Sequence, residues 1–102
     1  LLANSLTADV WKKIGQTIAK FHHHQIYLHD LNIHNIMLDM ENEVWLIDFD
    51  KCKIRQGSNW KNSNMARLKR SFEKEKRLHN IYWQPADWQI LISAYNEAAR
   101  AN

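Results

Sequence analysis

The sequence predicts an α+β domain that is mainly helical and carries one small β-hairpin. Three segments repeat apolar residues at helical spacing, and two short apolar runs flank a polar turn, as in a hairpin. Apolar residues make up 45% of the 102 residues and aromatic residues 11%, which is enough to form a core. We therefore expect one domain over residues 1–102.

The first helix is predicted from about residue 8 to about residue 24. Either Thr7 or Ser5 can cap it. Gly15 lies inside it, and a glycine in a packed helix often permits the close approach of a neighbouring segment. The apolar residues that recur at the helical repeat are Val10, Trp11, Ile14, Ile18 and Phe21.

Three consecutive histidines, His22, His23 and His24, end this helix. Consecutive helical residues point in different directions and cannot all face one ion, whereas zinc sites use ligands that share a face. We therefore interpret the run as a solvated helix end, where histidine suits the helix dipole.

The hairpin is predicted from the apolar runs 36–38 and 44–47, with a polar turn between them. Asp30 and Asn35 precede the first strand, and Asp48 follows the second. Folding the hairpin brings these residues together at its open end. Magnesium takes oxygen ligands and commonly uses only one or two carboxylates, so the pattern indicates a site for a metal ion and phosphate.

The second half contains two further predicted helices. Residues 51–55 form an extended basic segment, and residues 56–59 form a turn. The second helix has Asn62 or Ser63 as its cap candidate, and the third begins at Pro85 and runs to about residue 100. Their apolar faces are Met65, Leu68 and Phe72 in the second helix, and Trp88, Leu91, Ile92 and Tyr95 in the third.

Charge is divided unevenly along the chain, whose net charge is +3. Acids outnumber bases in residues 1–50, and bases outnumber acids in residues 51–102. The basic half suits an anionic partner, which is a phosphorylated lipid at a membrane surface, a nucleic acid or an acidic protein. Its basic residues include Lys51, Lys53, Arg55, Lys61, Arg67, Lys69, Arg70, Lys74, Lys76 and Arg77.

The single cysteine, Cys52, excludes an internal disulfide and suits a reducing compartment. We interpret it as a small buried apolar residue. The sequence has no apolar run long enough to span a membrane, and its start lacks the pattern of a signal peptide.

The residues around the hairpin resemble a known catalytic pattern. Asp30-Leu31-Asn32-Ile33-His34-Asn35 resembles the D-L-x-x-x-N loop of the protein-kinase-like phosphotransferases, and Asp48-Phe49 resembles the start of their D-F-G motif. Two positions depart from the pattern. Leu28 stands where histidine is expected, and Asp50 stands where glycine is expected.

The wider motifs are similar to those of the Kdo (3-deoxy-D-manno-octulosonic acid) kinase family of lipopolysaccharide sugar kinases, which have a protein-kinase-like fold. The resemblance runs from about Trp11 to about Tyr95 and covers only part of the family's length. It implies that residues 1–102 form a partial domain, the C-terminal lobe, without the nucleotide-binding lobe that precedes it in the family. The motifs are residues 29–36, residues 45–50, Trp60 and residues 64–71.

The resemblance implies ATP and Mg²⁺ as cofactors. Asp30 would accept the proton of the attacking hydroxyl, and Asn35 and Asp48 would hold magnesium on the nucleotide. His34 is either an orienting catalytic residue or a histidine packed under the loop. The substrate would be Kdo linked to a lipid A precursor, met at the cytoplasmic face of the bacterial inner membrane by peripheral contact with the anionic surface, and no nucleic acid is expected. Candidate substrate-binding residues are Arg67, Lys69 and Arg70, which otherwise form a solvated helix face.

Other functions stay open at this point. Related enzymes are a heptose kinase, an aminoglycoside-type phosphotransferase and an atypical protein kinase. A different class is a non-catalytic module that binds an anionic lipid or nucleic acid through its basic half. The joint presence of Asp30, Asn35 and Asp48 favours an enzyme, since a module without phosphoryl transfer has no chemical need of all three.

Overall fold

The computed structural model describes residues 6–29, 31–47 and 53–101. Within these ranges the protein is mainly helical with two small antiparallel sheets, which confirms the predicted α+β class. In chain order the elements are α1 (Ala8–His23), β1 (Ile26–Tyr27), a 3₁₀ turn (Ile33–Asn35), β2 (Ile36–Leu38), β3 (Val44–Leu46), β4 (Lys53–Ile54), α2 (Asn59–His79) and α3 (Pro85–Ala101).

Helices α1 and α3 pack closely against each other. Thr7 caps α1 as predicted, because its hydroxyl accepts a hydrogen bond of 3.4 Å from the Val10 amide. At Gly15 the backbones of the two helices come close together. A Cβ atom there would meet the Leu91 carbonyl oxygen and would lie 3.0 Å from the Tyr95 amide nitrogen, so the predicted close approach is confirmed.

The core lies where α1, α2 and α3 meet the segment that leads into the hairpin. Phe72 of α2 is at its centre, with Trp11 packed edge-on at a ring distance of 5.5 Å and Trp83 stacked at 5.8 Å. Aromatic pairs in these arrangements stabilise a core beyond the area they bury. The fully buried side chains include Ile14, Ile18, Leu28, Leu31, Ile36, Leu68 and Leu91.

The predicted hairpin is formed by β2 and β3, with Ile36 opposite Leu46 and Met37 opposite Trp45. Its turn is organised by the Asp39 carboxylate, which accepts hydrogen bonds from the Trp45 indole at 2.9 Å and from the Glu43 amide at 3.0 Å. The bond from Trp45 and then that from Glu43 lower the pKa of Asp39.

The second sheet was not predicted as a pair. Strand β4 lies inside the predicted extended segment 51–55, but its partner β1 has only two residues, so it gave no period-2 pattern to detect. Tyr27 faces Lys53 across this pair, and the Arg55 amide donates to the Gln25 carbonyl at 2.8 Å.

Helix α2 begins earlier than predicted. Asn62 and Ser63 lie within the helix, so neither is its cap, and Ser58 stands at the cap position without a side-chain hydrogen bond. Packing takes the place of the cap, because Trp60 in the first turn is buried and its indole donates to the Gln56 carbonyl at 3.2 Å.

Helix α3 starts at Pro85, as predicted. Its expected apolar face is confirmed by Trp88, Leu91 and Tyr95, which are all buried. None of the helices in the described ranges is both long enough and apolar enough to cross a lipid bilayer.

Candidate active site

The loop between β1 and β2 forms a compact turn. The Asn32 side-chain oxygen accepts a hydrogen bond of 2.7 Å from the His34 amide and so caps the 3₁₀ turn. The Leu31 amide donates to the Leu28 carbonyl at 3.3 Å, and both of these leucines are fully buried. The backbone on either side of residue 30 is therefore held by local hydrogen bonds and by the core.

Asn35 ends this turn and begins the hairpin. Its carbonyl accepts a hydrogen bond of 2.8 Å from the Ile47 amide, which places it across from the end of β3. Its side-chain oxygen is buried and has no hydrogen-bond partner among the described residues. A buried amide oxygen without a partner is costly, and it is the type of atom that a hard cation takes as a ligand.

Other predicted site residues lie outside the described residues. These are Asp30 and Asp48. Cys52, interpreted from the sequence as a small buried apolar residue, also lies outside the described residues. The structure describes the residues on both sides of Asp30, which are His29 and Leu31. For Asp48 it describes only the preceding residue, Ile47. The joint site of Asp30, Asn35 and Asp48 stays a prediction.

Helix α2 holds the loop at two points. The Asn64 amide makes two hydrogen bonds to the backbone of Leu28, accepting from its amide at 3.2 Å and donating to its carbonyl at 2.9 Å. Further along, the Ser71 hydroxyl accepts a hydrogen bond of 2.8 Å from the Ile33 amide. The contacts fall on opposite sides of residue 30.

A buried polar network extends from Asn64 into the core. Nε2 of His22 lies 3.0 Å from the Asn64 side-chain oxygen, and Nδ1 lies 2.7 Å from the Tyr95 hydroxyl. Burial lowers the pKa of His22 to about 4, against the opposing effect of its bond to Asn64, and the charge of Lys61 lowers it further. Burial also raises the pKa of Tyr95. His22 is therefore neutral near pH 7, and the network carries no formal charge.

The burial of His22 corrects the interpretation of the histidine run. His23 and His24 are exposed, as expected for a solvated helix end, but His22 is only 2% exposed. The helical repeat contains the signal that separates it from them, since His22 follows Ile18 by four positions and continues the buried stripe of α1.

The predicted basic helix face contributes to an open cleft beside the loop between β1 and β2. The cleft has a volume of about 390 Å³, and its lining combines basic residues of α2 with residues of the loop. The lining residues are Asn32, His34, Arg67, Arg70, Ser71, Lys74 and Glu75. The structure thus brings Arg67 and Arg70 next to the loop. Their role in binding substrate stays a prediction.

Two other predicted site residues, Lys69 and His34, are both exposed. Lys69 is exposed and is not among the described residues that line this cleft. The His34 side chain is 74% exposed, with its Nε2 atom 3.3 Å from the Glu75 carboxylate, so the alternative that it packs under the loop is wrong. Its catalytic role stays a prediction.

Comparison of the sequence with protein families identifies the family of this chain. The model of the Lipopolysaccharide kinase (Kdo/WaaP) family matches residues 2–95, nearly the whole chain. The chain therefore belongs to this family.

Individual relatives agree with the family match. The chain is 46% identical over 95 residues to the 3-deoxy-D-manno-octulosonic acid kinase of Vibrio vulnificus strain YJ016, which covers 93% of this chain and 40% of that protein. It is 46% identical over 96 residues to the protein of the same name from Photobacterium profundum, covering 93% of the chain and 41% of the relative. For the Haemophilus influenzae protein of the same name, from strain PittGG, the identity is 45% over 100 residues, covering 95% and 42%. The chain spans about two fifths of the length of these relatives.

Proposed function

We propose that this chain forms the C-terminal lobe of an ATP-dependent kinase that phosphorylates a hydroxyl group of Kdo linked to a lipid A precursor. The family match and the names of the relatives support the kinase class and the sugar. The observation that carries the proposal is the buried, unpartnered side-chain oxygen of Asn35 at the open end of the hairpin.

The chemistry follows from the residue types. The hydroxyl oxygen of the sugar attacks the γ-phosphorus of ATP, the Asp30 carboxylate takes the hydroxyl proton, and the bond to the bridging oxygen breaks to release ADP. Asn35 and Asp48 would hold Mg²⁺, and the orphaned Asn35 oxygen fits such a ligand. When bound, the ion neutralises charge on the phosphates. His34, an exposed residue of the loop, would help to orient the hydroxyl.

The cleft beside the loop would hold the anionic part of the sugar substrate. Arg67 and Arg70 extend from α2 towards the same cleft as His34 and Asn32, so an acceptor bound there would lie beside the catalytic loop. The exposed bases of α2 also suit peripheral contact with an anionic membrane. Such contact would be made at the cytoplasmic face of the inner membrane.

Charge reversal of the cleft tests this assignment. In a full-length enzyme that carries this chain, Arg67→Glu with Arg70→Glu should raise KM for the lipid-linked sugar by about tenfold or more, since hydrogen bonds to charged groups contribute roughly 1.5–3 kcal/mol. KM for ATP should barely change. The effect should shrink with salt, because the screening length is about 10 Å at 0.1 M.

Lys69→Glu is the matched control, because it reverses one charge on the same helix outside the cleft lining. An equal rise in KM for Lys69→Glu would indicate a general electrostatic surface instead of a site. Equal weakening towards heparin or DNA would favour a non-catalytic anion binder. A sugar KM that is unmoved at low salt in the double variant would remove the cleft from the site.

Two further measurements address the nucleotide. Asp48→Asn should raise the magnesium concentration needed for half-maximal activity steeply, and an unchanged requirement would count against Asp48 as a ligand. This chain by itself should not consume ATP, because the resemblance places the phosphate-covering loop and its lysine in a preceding lobe. Magnesium-dependent transfer by the purified 102-residue chain would contradict that expectation.

A further inference from the structure

We propose that Asn64 and Ser71 are positioning residues that hold the catalytic loop on both sides of Asp30, and that His22 and Tyr95 lock the orientation of the Asn64 amide. This inference rests on the proposed function, since it assigns the loop its catalytic role. It adds residues of α1, α2 and α3 to the machinery that sets the rate.

The contact between Asn64 and Leu28 is unusually restrictive. One side-chain amide meets both polar groups of the Leu28 backbone, as a neighbouring strand would. Both residues are almost completely buried, so water cannot replace either bond. Loss of the Asn64 amide would leave the Leu28 N–H unpaired in the core, which costs more than the bond itself contributes. The Leu28 carbonyl would keep only its bond of 3.3 Å from the Leu31 amide.

The direction of every hydrogen bond in the network follows from Leu28. Its N–H can only donate and its carbonyl can only accept, so the Asn64 oxygen and nitrogen cannot exchange places. The same Asn64 oxygen faces Nε2 of His22, which must therefore carry the proton. Nδ1 is then an acceptor, and the Tyr95 hydroxyl donates a hydrogen bond to it. The amide has one stable orientation, fixed from helices α1 and α3.

Ser71 holds the other side of residue 30. Its hydroxyl accepts from the Ile33 amide at 2.8 Å, where the 3₁₀ turn begins. Asn64 and Ser71 lie about two helical turns apart, roughly 10 Å along α2, on the same side of the helix. Leu68, fully buried, lies between them and packs this side of α2 into the core. The spacing of the two anchors is thus set by a rigid helix.

The consequence for catalysis concerns distance. Asp30 must stay within hydrogen-bond reach of the hydroxyl that it deprotonates, and an error of about 1 Å in the placement of a reacting group can cost about a hundredfold in rate. Neither Asn64 nor Leu28 lines the open cleft beside the loop. Loss of the Asn64 anchor should therefore lower kcat and leave both KM values nearly unchanged. Ser71 does line the cleft, so its test rests on kcat alone.

The first test compares two buried positions of α2 in a full-length enzyme that carries this chain. Asn64→Leu should lower kcat by roughly 10- to 100-fold, with both KM values within about threefold of wild type. Met65→Ala is the control, because Met65 is a buried neighbour of Asn64 on the same helix and its truncation also destabilises the protein. The Met65 side chain makes no hydrogen bond to the Leu28 backbone, whose side-chain partner is Asn64. If Met65→Ala lowers kcat as much as Asn64→Leu at equal loss of Tm, the proposal fails.

The second test uses conservative replacement at His22. His22→Gln can still present an N–H to the Asn64 oxygen, whereas His22→Leu fills the space without a donor. The Gln variant should retain several times the kcat of the Leu variant. Equal kcat values for the two would show that His22 acts only by filling the core.

The third test addresses the other anchor. Ser71→Ala should lower kcat by about three- to tenfold, the loss expected for one neutral hydrogen bond. Ser63→Ala, on the exposed side of the same helix, is the control and should leave kcat unchanged. A Ser71→Ala enzyme with wild-type kcat would remove Ser71 from the proposal.

A measurement on the 102-residue chain separates this inference from the proposed function. Hydrogen exchange of the Leu28 amide, followed by NMR, should accelerate in Asn64→Leu far more than in Met65→Ala. If the full-length enzyme fails to phosphorylate the sugar, the proposed function is wrong, and the exchange data still decide whether Asn64 holds the loop. Unchanged Leu28 exchange in Asn64→Leu would overturn the anchor itself.

Discussion

The two sides of residue 30 are held in different environments. On the Leu28 side the partners Asn64 and His22 are each only 2% exposed. On the Ile33–Asn35 side the His34 side chain is 74% exposed, and its partner Glu75 borders the open cleft. Buried hydrogen bonds are costly to break, whereas exposed ion pairs contribute little. The backbone of the loop is therefore held by Asn64 and, through the Ile33 amide, by Ser71. The exposed His34–Glu75 contact is where a substrate can rearrange side chains at low cost.

The largest effect is expected where the two sides meet. Asp30→Asn in a full-length enzyme should lower kcat by roughly 10²–10⁴-fold, because it removes the base while leaving the phosphate ligands in place. Nucleotide binding, measured by titration calorimetry, should be largely unchanged. Asp9→Asn, at an exposed position in the first turn of α1, is the control and should keep full activity. A tenth or more of wild-type kcat would remove Asp30 from its role as the base.

The buried side should make stability depend on pH. His22 has an ordinary pKa of 6.5, which folding lowers to about 4. Between these values the unfolded chain binds a proton that the folded chain does not, so stability falls as pH falls through this window. The total loss from His22 should be about 3 kcal/mol, since each pKa unit is worth about 1.4 kcal/mol.

The check is urea unfolding of this chain and of His22→Gln from about pH 7.5 to about pH 4, the window that brackets the two pKa values. The carboxylates titrate in both proteins, so the difference between the two curves isolates His22. The stability gap between them should narrow towards low pH. Parallel curves would show that the histidine is not held neutral.

The contact between α1 and α3 supports the same buried side, since His22 and Tyr95 belong to these two helices. Gly15→Ala should destabilise the chain by about 2 kcal/mol, because overpacking in a filled core costs roughly 1–3 kcal/mol. The added methyl group meets backbone atoms of α3, which cannot rotate away as a side chain would. Gln16→Ala on the exposed face should change stability by less than about 0.5 kcal/mol. A Gly15→Ala chain as stable as wild type in urea would contradict this close approach.

The smallest effect is expected on the exposed side. Glu75→Gln removes the partner of His34 at 3.3 Å and of His79 at 3.8 Å. It should lower the free energy of unfolding by less than about 1 kcal/mol, and the loss should shrink in high salt. Glu73→Gln, also on α2, is the control. A loss above about 2 kcal/mol, well beyond the range of exposed ion pairs, would mean that both sides of the loop are held with similar strength.

Much of the fold could be predicted because the local patterns are strong. The apolar stripe of α1, its Thr7 cap and the hairpin are all confirmed. Each of these patterns is formed by residues that are close together in the sequence. The first turn of α2 was missed for a specific reason. Its buried stripe runs from Trp60 through Asn64 to Leu68, and a polar residue in the middle hides its continuity.

The same cause hid part of the site. His22 and Asn64 are polar residues at buried positions, and each is tolerated there because it bonds to the other across 42 residues of sequence. A buried polar residue cannot be recognised from its sequence neighbours, because the groups that satisfy its hydrogen bonds lie on other helices. The loop and the cleft arginines were predictable because they follow a linear motif and a charge pattern. Asp30 and Asp48, named from that motif, lie outside the described residues.

The spacing of Asn64 and Ser71 on α2 also limits where the gene can gain or lose codons. One inserted residue between Asn64 and Ser71 would turn the second anchor by about 100° around the helix. The hydroxyl would then face away from Ile33. The turn of the hairpin, where the Met40 side chain is fully exposed, is held by surface hydrogen bonds to Asp39 and carries neither anchor. Insertions and deletions among homologous genes should therefore collect in the codons of this turn and be purged between codons 64 and 71.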